Sequence, residues 1–182
     1  MGSDARVRYT KRVIKESFVT LLKKKPLNKV TVKEICALAE INRATFYKYY
    51  RDPFDLLDHI ELEMLAQMQS SLRSSTSSFR EVFLLIMASI QRDGEMYQAL
   101  FSENGDSAFP GRIFSLYYEH IARDISRNFP QLSPAQQEWL YYFMSQGCCG
   151  MLERWVGNGM KERPEEVADF AGRLIANAIR QL

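Results

Sequence analysis

The chain has 182 residues, 46% of them apolar and 25% charged. That suits one compact unit, or a small module joined to a larger one, with enough apolar surface to bury a core. That globular composition argues against disorder, and the lack of any apolar run approaching the roughly 20 residues of a membrane span argues against a membrane-spanning role. The net charge of +2 hides a division: residues 1–51 hold 13 Lys or Arg against four acidic residues, and residues 52–182 hold 11 against 18. A head of +9 on a body of −7 points to a polyanion partner for the head alone. The opening MGSDARVRYTKR lacks the apolar core of a secretory signal, and three cysteines are an odd number for a disulfide framework. A cytoplasmic, reduced protein is therefore expected.

Apolar residues recur at helical spacing along almost the whole chain, and no stretch alternates as a strand would, so the expected fold class is all-α with about nine helices. The first helix is predicted over about 5–24, burying Ile14, Phe18, Leu21 and Leu22, with Pro26 stopping it. Thr31 is placed to cap a short helix over 32–38, with Glu34 at the third helical position of a capping box. Asn42 is the next cap, for a helix from Arg43 to about Tyr49. Asp52 followed by Pro53 starts a fourth helix that runs through Met68 to the Ser-rich stretch 70–78, which reads as an internal boundary. Beyond it helices are expected over 79–92, 95–101, 110–128, 134–156 and 164–181, punctuated by Gly105, Pro110, Pro130, Pro134, Gly157, Gly159 and Pro164.

Three helices within about 50 residues, the last two joined by a tight turn, match a helix-turn-helix. On the third, Phe46 and Tyr50 lie four apart, fitted to pack against Ile35, Leu38 and Ala39. Arg43, Ala44, Thr45, Tyr47 and Lys48 project elsewhere. That mixture suits a major groove: cations reach guanine edges or phosphates, Thr45 and Ala44 meet a thymine methyl, and a phenol donates to a phosphate.

The run Thr31-Val32-Lys33-Glu34-Ile35-Cys36, then Ala39, then Ile41-Asn42-Arg43-Ala44-Thr45-Phe46-Tyr47-Lys48-Tyr49-Tyr50, then Asp52, Asp55, Leu56 and Leu57, resembles the DNA-binding domain of TetR-type transcriptional regulators. With Tyr9-Thr10-Lys11 and Phe18 it covers roughly residues 8–60. The resemblance implies a DNA-binding domain over 1–51 and a regulatory and dimerisation domain over 52–182. It further implies a homodimer that sets two third helices into a palindromic operator, most often as a repressor, answering an unidentified small apolar effector or protein partner.

Position by position, the resemblance gives Thr31 the phosphate-binding cap, Lys33 a base or phosphate contact, and Asn42, Arg43, Ala44 and Thr45 the start of the reading helix. Tyr47 takes the phosphate-binding tyrosine, with Lys48 and Tyr49 the next contacts. The family usually has lysine where this chain has Pro53, which offers neither charge nor N–H. Arg51 is the substitute expected for that lost clamp. The basic excess of the first helix is expected to add only general attraction.

The C-terminal part is less distinctive, although Tyr142 to Gly150, Leu152, Trp155, Gly159 and Pro164-Glu165-Glu166 resemble the last two helices of one TetR-type branch. Phe143, Gly147, Met151 and Trp155, with Phe170, Ala171, Leu174 and Ala178, form apolar stripes that suit a four-helix dimer interface or closure of the protomer core. Tyr97, Phe101, Phe114, Tyr117, Tyr118, Trp139 and Tyr142 suit either the lining of an apolar effector pocket or plain core.

Cys36, Cys148 and Cys149 read as buried packing, and His59 and His120 lack metal-site spacing, so no metal or cofactor is expected. With no phosphate-cradling glycine loop or nucleophile elbow, no enzyme is expected. The alternative function is a helical adaptor of the same fold, acting through protein contacts without operator binding.

Overall fold

The computed structural model describes the main chain of residues 2–71 and 78–179 and the side chains of 4–71 and 78–177. Among the described residues every regular element is helical: α1 Gly2–Leu22, α2 Val32–Leu38, α3 Arg43–Tyr47, α4 Pro53–Ser71, α5 Phe79–Arg92, α6 Gly94–Leu100, α7 Phe109–Leu116, α8 Tyr118–Asn128, α9 Pro134–Gly157 and α10 Pro164–Ile179, with a 3-10 turn at Leu27–Lys29. None is long and apolar enough to cross a membrane. The chain divides into two compact units: residues 1–64 with 98–107, and 65–97 with 108–182. The division falls inside α4 and α6. Most of the Ser-rich stretch, 72–77, lies outside the described residues; Ser71 ends α4, and Ser78 caps α5 through a capping box with Glu81.

In the first unit Ile14, Phe18, Leu22, Ile35, Phe46, Leu56 and Ile60 are buried to 2% exposure or less. Each such side chain contributes about 1.5–3 kcal/mol through water exclusion. Leu38 is the exception to the predicted core: it is 52% exposed. It lies in the last turn of α2, one residue off the inward row of Ile35 and Ala39, both of which are buried. Tight backbone packing fixes Gly105 in the same unit, because a Cβ there would stand 2.1 Å from the Leu100 carbonyl oxygen.

The second unit packs α5 on α10 and α8, and α9 on α7 and α8. Phe83, Ile86, Met87, Ile90, Phe109, Ile113 and Leu152 are fully buried at its centre. The single helix expected over 110–128 is two, α7 and α8, broken at Tyr117, whose N–H returns to the Phe114 carbonyl at 3.0 Å. Two side-chain contacts tie distant parts together: Asp124 accepts from the Phe79 N–H at 2.9 Å, and Arg80 donates to Asp169 at 2.5 Å.

Candidate functional site

The second helix begins where its sequence says. Thr31 is extended (φ −117°, ψ 148°), its hydroxyl oxygen accepts from the Glu34 N–H at 3.3 Å, and Glu34 Oε2 accepts from the Thr31 N–H at 3.1 Å. The Thr31 hydroxyl also donates to Glu34 Oε2 at 2.6 Å, so its proton is already engaged. Lys25 closes on the other oxygen of Glu34 at 2.6 Å. These bonds, Lys25 first and Thr31 next, hold the Glu34 carboxyl down at about 2.

The turn into α3 is a Schellman motif: the Ile41 N–H returns to the Cys36 carbonyl at 3.0 Å, and Glu40 takes the left-handed position at φ 53°. Asn42 then caps α3, its Oδ1 accepting from both the N–H and the hydroxyl of Thr45, at 2.8 and 2.9 Å. The hydroxyl proton of Thr45 is thereby committed, which leaves its methyl group and oxygen lone pairs as what it can present to a base edge.

α3 keeps one face in and one face out. Phe46 is fully buried and Tyr50 is 2% exposed, against buried Ile35 and Ala39, while Asn42, Arg43, Ala44, Tyr47 and Lys48 are exposed and Thr45 and Tyr49 half-buried. The helix is shorter than expected, ending at Tyr47. Lys33, on α2, is exposed as well. Burial pushes the Tyr50 phenol up to about 12, and its hydroxyl has no hydrogen-bond partner among the described residues.

Arg51 does not stand free as a phosphate ligand. Its Nε and Nη2 donate to Asp55 Oδ1 at 2.9 and 2.6 Å, and its backbone N–H donates to Oδ2 at 2.9 Å. The i,i+4 spacing of an arginine and an aspartate was the visible signal for this pairing. Pro53 is buried at the first position of α4, and Asp52 caps that helix by accepting from the Asp55 N–H at 2.9 Å.

An open cleft of about 660 Å³ lies between the first turns of α1 and the α2–α3 region, lined by Arg6, Val7, Thr10, Glu40, Ile41, Asn42, Thr45, Lys48 and Tyr49. Lys11 lies over the Tyr49 ring, 5.6 Å from its centroid. Arg6 with Thr10 and Val7 with Lys11 are i,i+4 pairs on neighbouring rows of α1, and that periodicity was the available signal.

The seven aromatics proposed for a pocket differ widely in burial. Tyr97, Phe114 and Tyr117 are buried to 2% or less, Tyr118, Trp139 and Tyr142 are 44%, 68% and 55% exposed, and Phe101 belongs to the first unit. Phe114, Tyr118 and Tyr142 line one open cleft of about 540 Å³, together with Tyr141. Tyr97 and Tyr117 are core residues because helical spacing carries them inward on α6 and α7's end, and burial raises both phenols, Tyr117 to about 12.

The apolar stripes of α9 and α10 separate into two kinds of residue. Phe143, Phe170 and Leu174 are 71%, 51% and 51% exposed, with Gly147 exposed and Met151 half-buried. Trp155 and Ala171, by contrast, are 3% and 2% exposed inside the protomer, and the Trp155 indole N–H donates to the Glu162 carbonyl at 2.9 Å. They are protomer core, since position 155 falls on the row of Tyr141, Met144, Cys148 and Leu152 that α9 turns inward. Ala178 lies in α10, its side chain outside the described ones. Phe143, Gly147, Met151 and Leu174 wall an apolar groove of about 370 Å³.

Cys36, Cys148 and Cys149 are buried free thiols, and burial raises Cys148 to about 12 and Cys149 to about 11. Among the described residues no cluster of His, Cys, Asp and Glu is arranged to hold a metal ion.

Residues 77–177 match a TetR-type family described as the transcriptional regulator C-terminal region. No curated protein matches the sequence. Among solved structures, a TetR transcriptional regulator from Streptococcus agalactiae 2603V superposes with a TM-score of 0.70 at 19% identity, over 96% of this chain and 98% of that one. The fatty acid degradation regulator FadR from Bacillus halodurans gives 0.67 at 10% identity, over 94% and 96%. The dihydroxyacetone kinase operon activator DhaS gives 0.64 at 18%, over 95% and 97%. At these identities the likeness is one of fold.

Proposed function

The chain belongs to the TetR-type transcriptional regulators, and on that premise we propose that it binds a palindromic duplex-DNA operator in the cytoplasm as a homodimer. It acts there as a repressor, released by a small apolar effector or a protein partner. The observation that carries the reading is the two-sidedness of α3: Phe46 and Tyr50 anchor it to the core while Arg43, Ala44, Tyr47 and Lys48 stand in solvent on a head of net charge +9. Arg43 and Ala44 open the helix that enters the groove, Thr45 meets a base through its methyl group or as an acceptor, and Tyr47 and Lys48 hold the flanking phosphates. Lys33 adds a contact from α2, and Thr31 joins once its hydroxyl turns from Glu34 to a phosphate. Dimerisation uses the exposed part of the α9–α10 stripe, Phe143, Gly147, Met151, Phe170 and Leu174.

A specific observation favours the adaptor reading: buried Pro53 and paired Arg51 leave the start of α4 without a phosphate clamp. Selection of bound duplexes from a random pool separates the two. A regulator recovers one palindromic motif, and Arg43→Ala relaxes the preference at particular base pairs by roughly 1–3 kcal/mol while Tyr47→Phe weakens all sequences alike. Recovery of no motif by the parent protein would sink the regulator reading and leave the adaptor.

A further inference from the structure

The α1 helix carries five cations, and they fall into two groups. Arg8 is paired with Asp4 at 2.8 Å, Arg12 with Glu16 at 2.9 Å, and Lys15 with Glu63. Arg6 and Lys11 have no acidic partner among the described residues, and both converge on the cleft beside α3: Arg6 lines it, and Lys11 sits over the ring of Tyr49, which lines it too. None of the three paired cations lines that cleft. Lys48 lines the same cleft, and the one carboxylate there, Glu40, leaves an excess of positive charge.

We infer that α1 is a direct DNA-contacting element, in which Arg6 and Lys48, on one cleft walled by Tyr49, seat a backbone phosphate outside the span read by α3. Lys11 positions the Tyr49 ring and adds charge behind it. The occupant is a phosphodiester because the cleft is open and polar, offers cations and a phenol hydroxyl as donors, and adjoins the reading face. The expectation that the first helix supplies only general attraction is thereby replaced by an assignment to two of its five cations. The inference rests on the DNA-binding reading above.

The test is the salt dependence of binding by the full chain to its selected palindrome and to a scrambled duplex, for the parent, Arg6→Ala, Arg6→Lys and Arg12→Ala. Counterion release gives a slope of log K against log salt of about −0.9 for each phosphate neutralised. Arg6→Ala is expected to flatten the slope by about 0.9 for each protomer on the duplex and to weaken both duplexes by the same factor. Arg6→Lys keeps the parental slope, and Arg12→Ala, which removes the same formal charge from the same helix, leaves it unchanged. A parental slope in Arg6→Ala, or equal flattening by Arg12→Ala, overturns the assignment while leaving operator binding intact. A parent that binds no duplex overturns both.

Discussion

The Asp55 carboxylate accepts three hydrogen bonds from Arg51, one from its backbone N–H and two from its guanidinium. The Asp55 side chain is 8% exposed and that of Arg51 84%, so the pair joins a buried acceptor to a solvent-facing cation across the entry to α4. The backbone bond, then the guanidinium, holds the Asp55 carboxyl below the usual range. Asp55→Ala is expected to lower the Tm markedly, because it leaves the Arg51 amide and guanidinium without their acceptor. Arg51→Ala lowers it less, since the backbone bond survives. The Arg51 variant is also expected to change DNA affinity little, its charge being already spent on Asp55. A thermal scan and a salt titration of both variants check this pair of outcomes.

Glu34 gives a pH dependence of definite sign. Its carboxyl drops from an ordinary 4.5 to about 2 in the folded chain, through the Lys25 ammonium and the Thr31 hydroxyl. A group depressed on folding stabilises fully above its unfolded value, and that contribution fades as pH falls from 4.5 towards 2. Glu34→Gln keeps a side chain able to complete the capping box and removes only the charge. The Tm of the parent is therefore expected to fall more steeply than that of the variant between those two pH values. Parallel curves would mean that the Lys25 pairing adds nothing to stability.

Local chemistry made much of this fold legible in the sequence. Helix α2 runs over the expected residues because Thr31 and Glu34 satisfy its free amides, and α5 does so because Ser78 and Glu81 repeat the device. The inward pair Phe46 and Tyr50 followed from spacing alone. What could not be read was tertiary in origin. The break between α7 and α8 falls at Tyr117, with no glycine or proline beside it, and the buried ring rather than a breaker residue holds that corner. Likewise apolar periodicity marks which residues share a helical row but not which row faces the protomer core, so Trp155 and Phe143 looked equivalent.

The left-handed Glu40 offers a stabilising substitution. An L-residue in that region costs about 1–2 kcal/mol, which glycine avoids while losing roughly 0.5–1 kcal/mol more unfolded-chain entropy. Glu40→Gly is thus expected to stabilise the head by about 0.5–1 kcal/mol, read as a raised urea midpoint at unchanged m. The same change removes the carboxylate from the cleft beside Arg6 and Lys48, so DNA affinity should rise with stability. An Asn at this position tolerates the left-handed backbone and also lacks the charge, so it should share the gain in affinity and part of the gain in stability.

The split of the α9–α10 stripe into exposed and buried residues predicts two different failures. Phe143 is 71% exposed beside an apolar groove walled by Gly147, Met151 and Leu174, so Phe143→Arg places a charge in the proposed interface at no cost to the protomer core. That variant is expected to halve the mass seen by light scattering and to keep its helical circular dichroism. Trp155 is 3% exposed and bonded to the Glu162 carbonyl. Trp155→Ala should therefore cost about 3–5 kcal/mol of protomer stability, as other large core truncations do, and lower the urea midpoint. Because dimerisation stabilises the fold by mass action, the Phe143 variant should also lose the concentration dependence of Tm that the parent and the Trp155 variant show. A monomeric parent, or an unchanged dimer after Phe143→Arg, would move the interface away from this stripe.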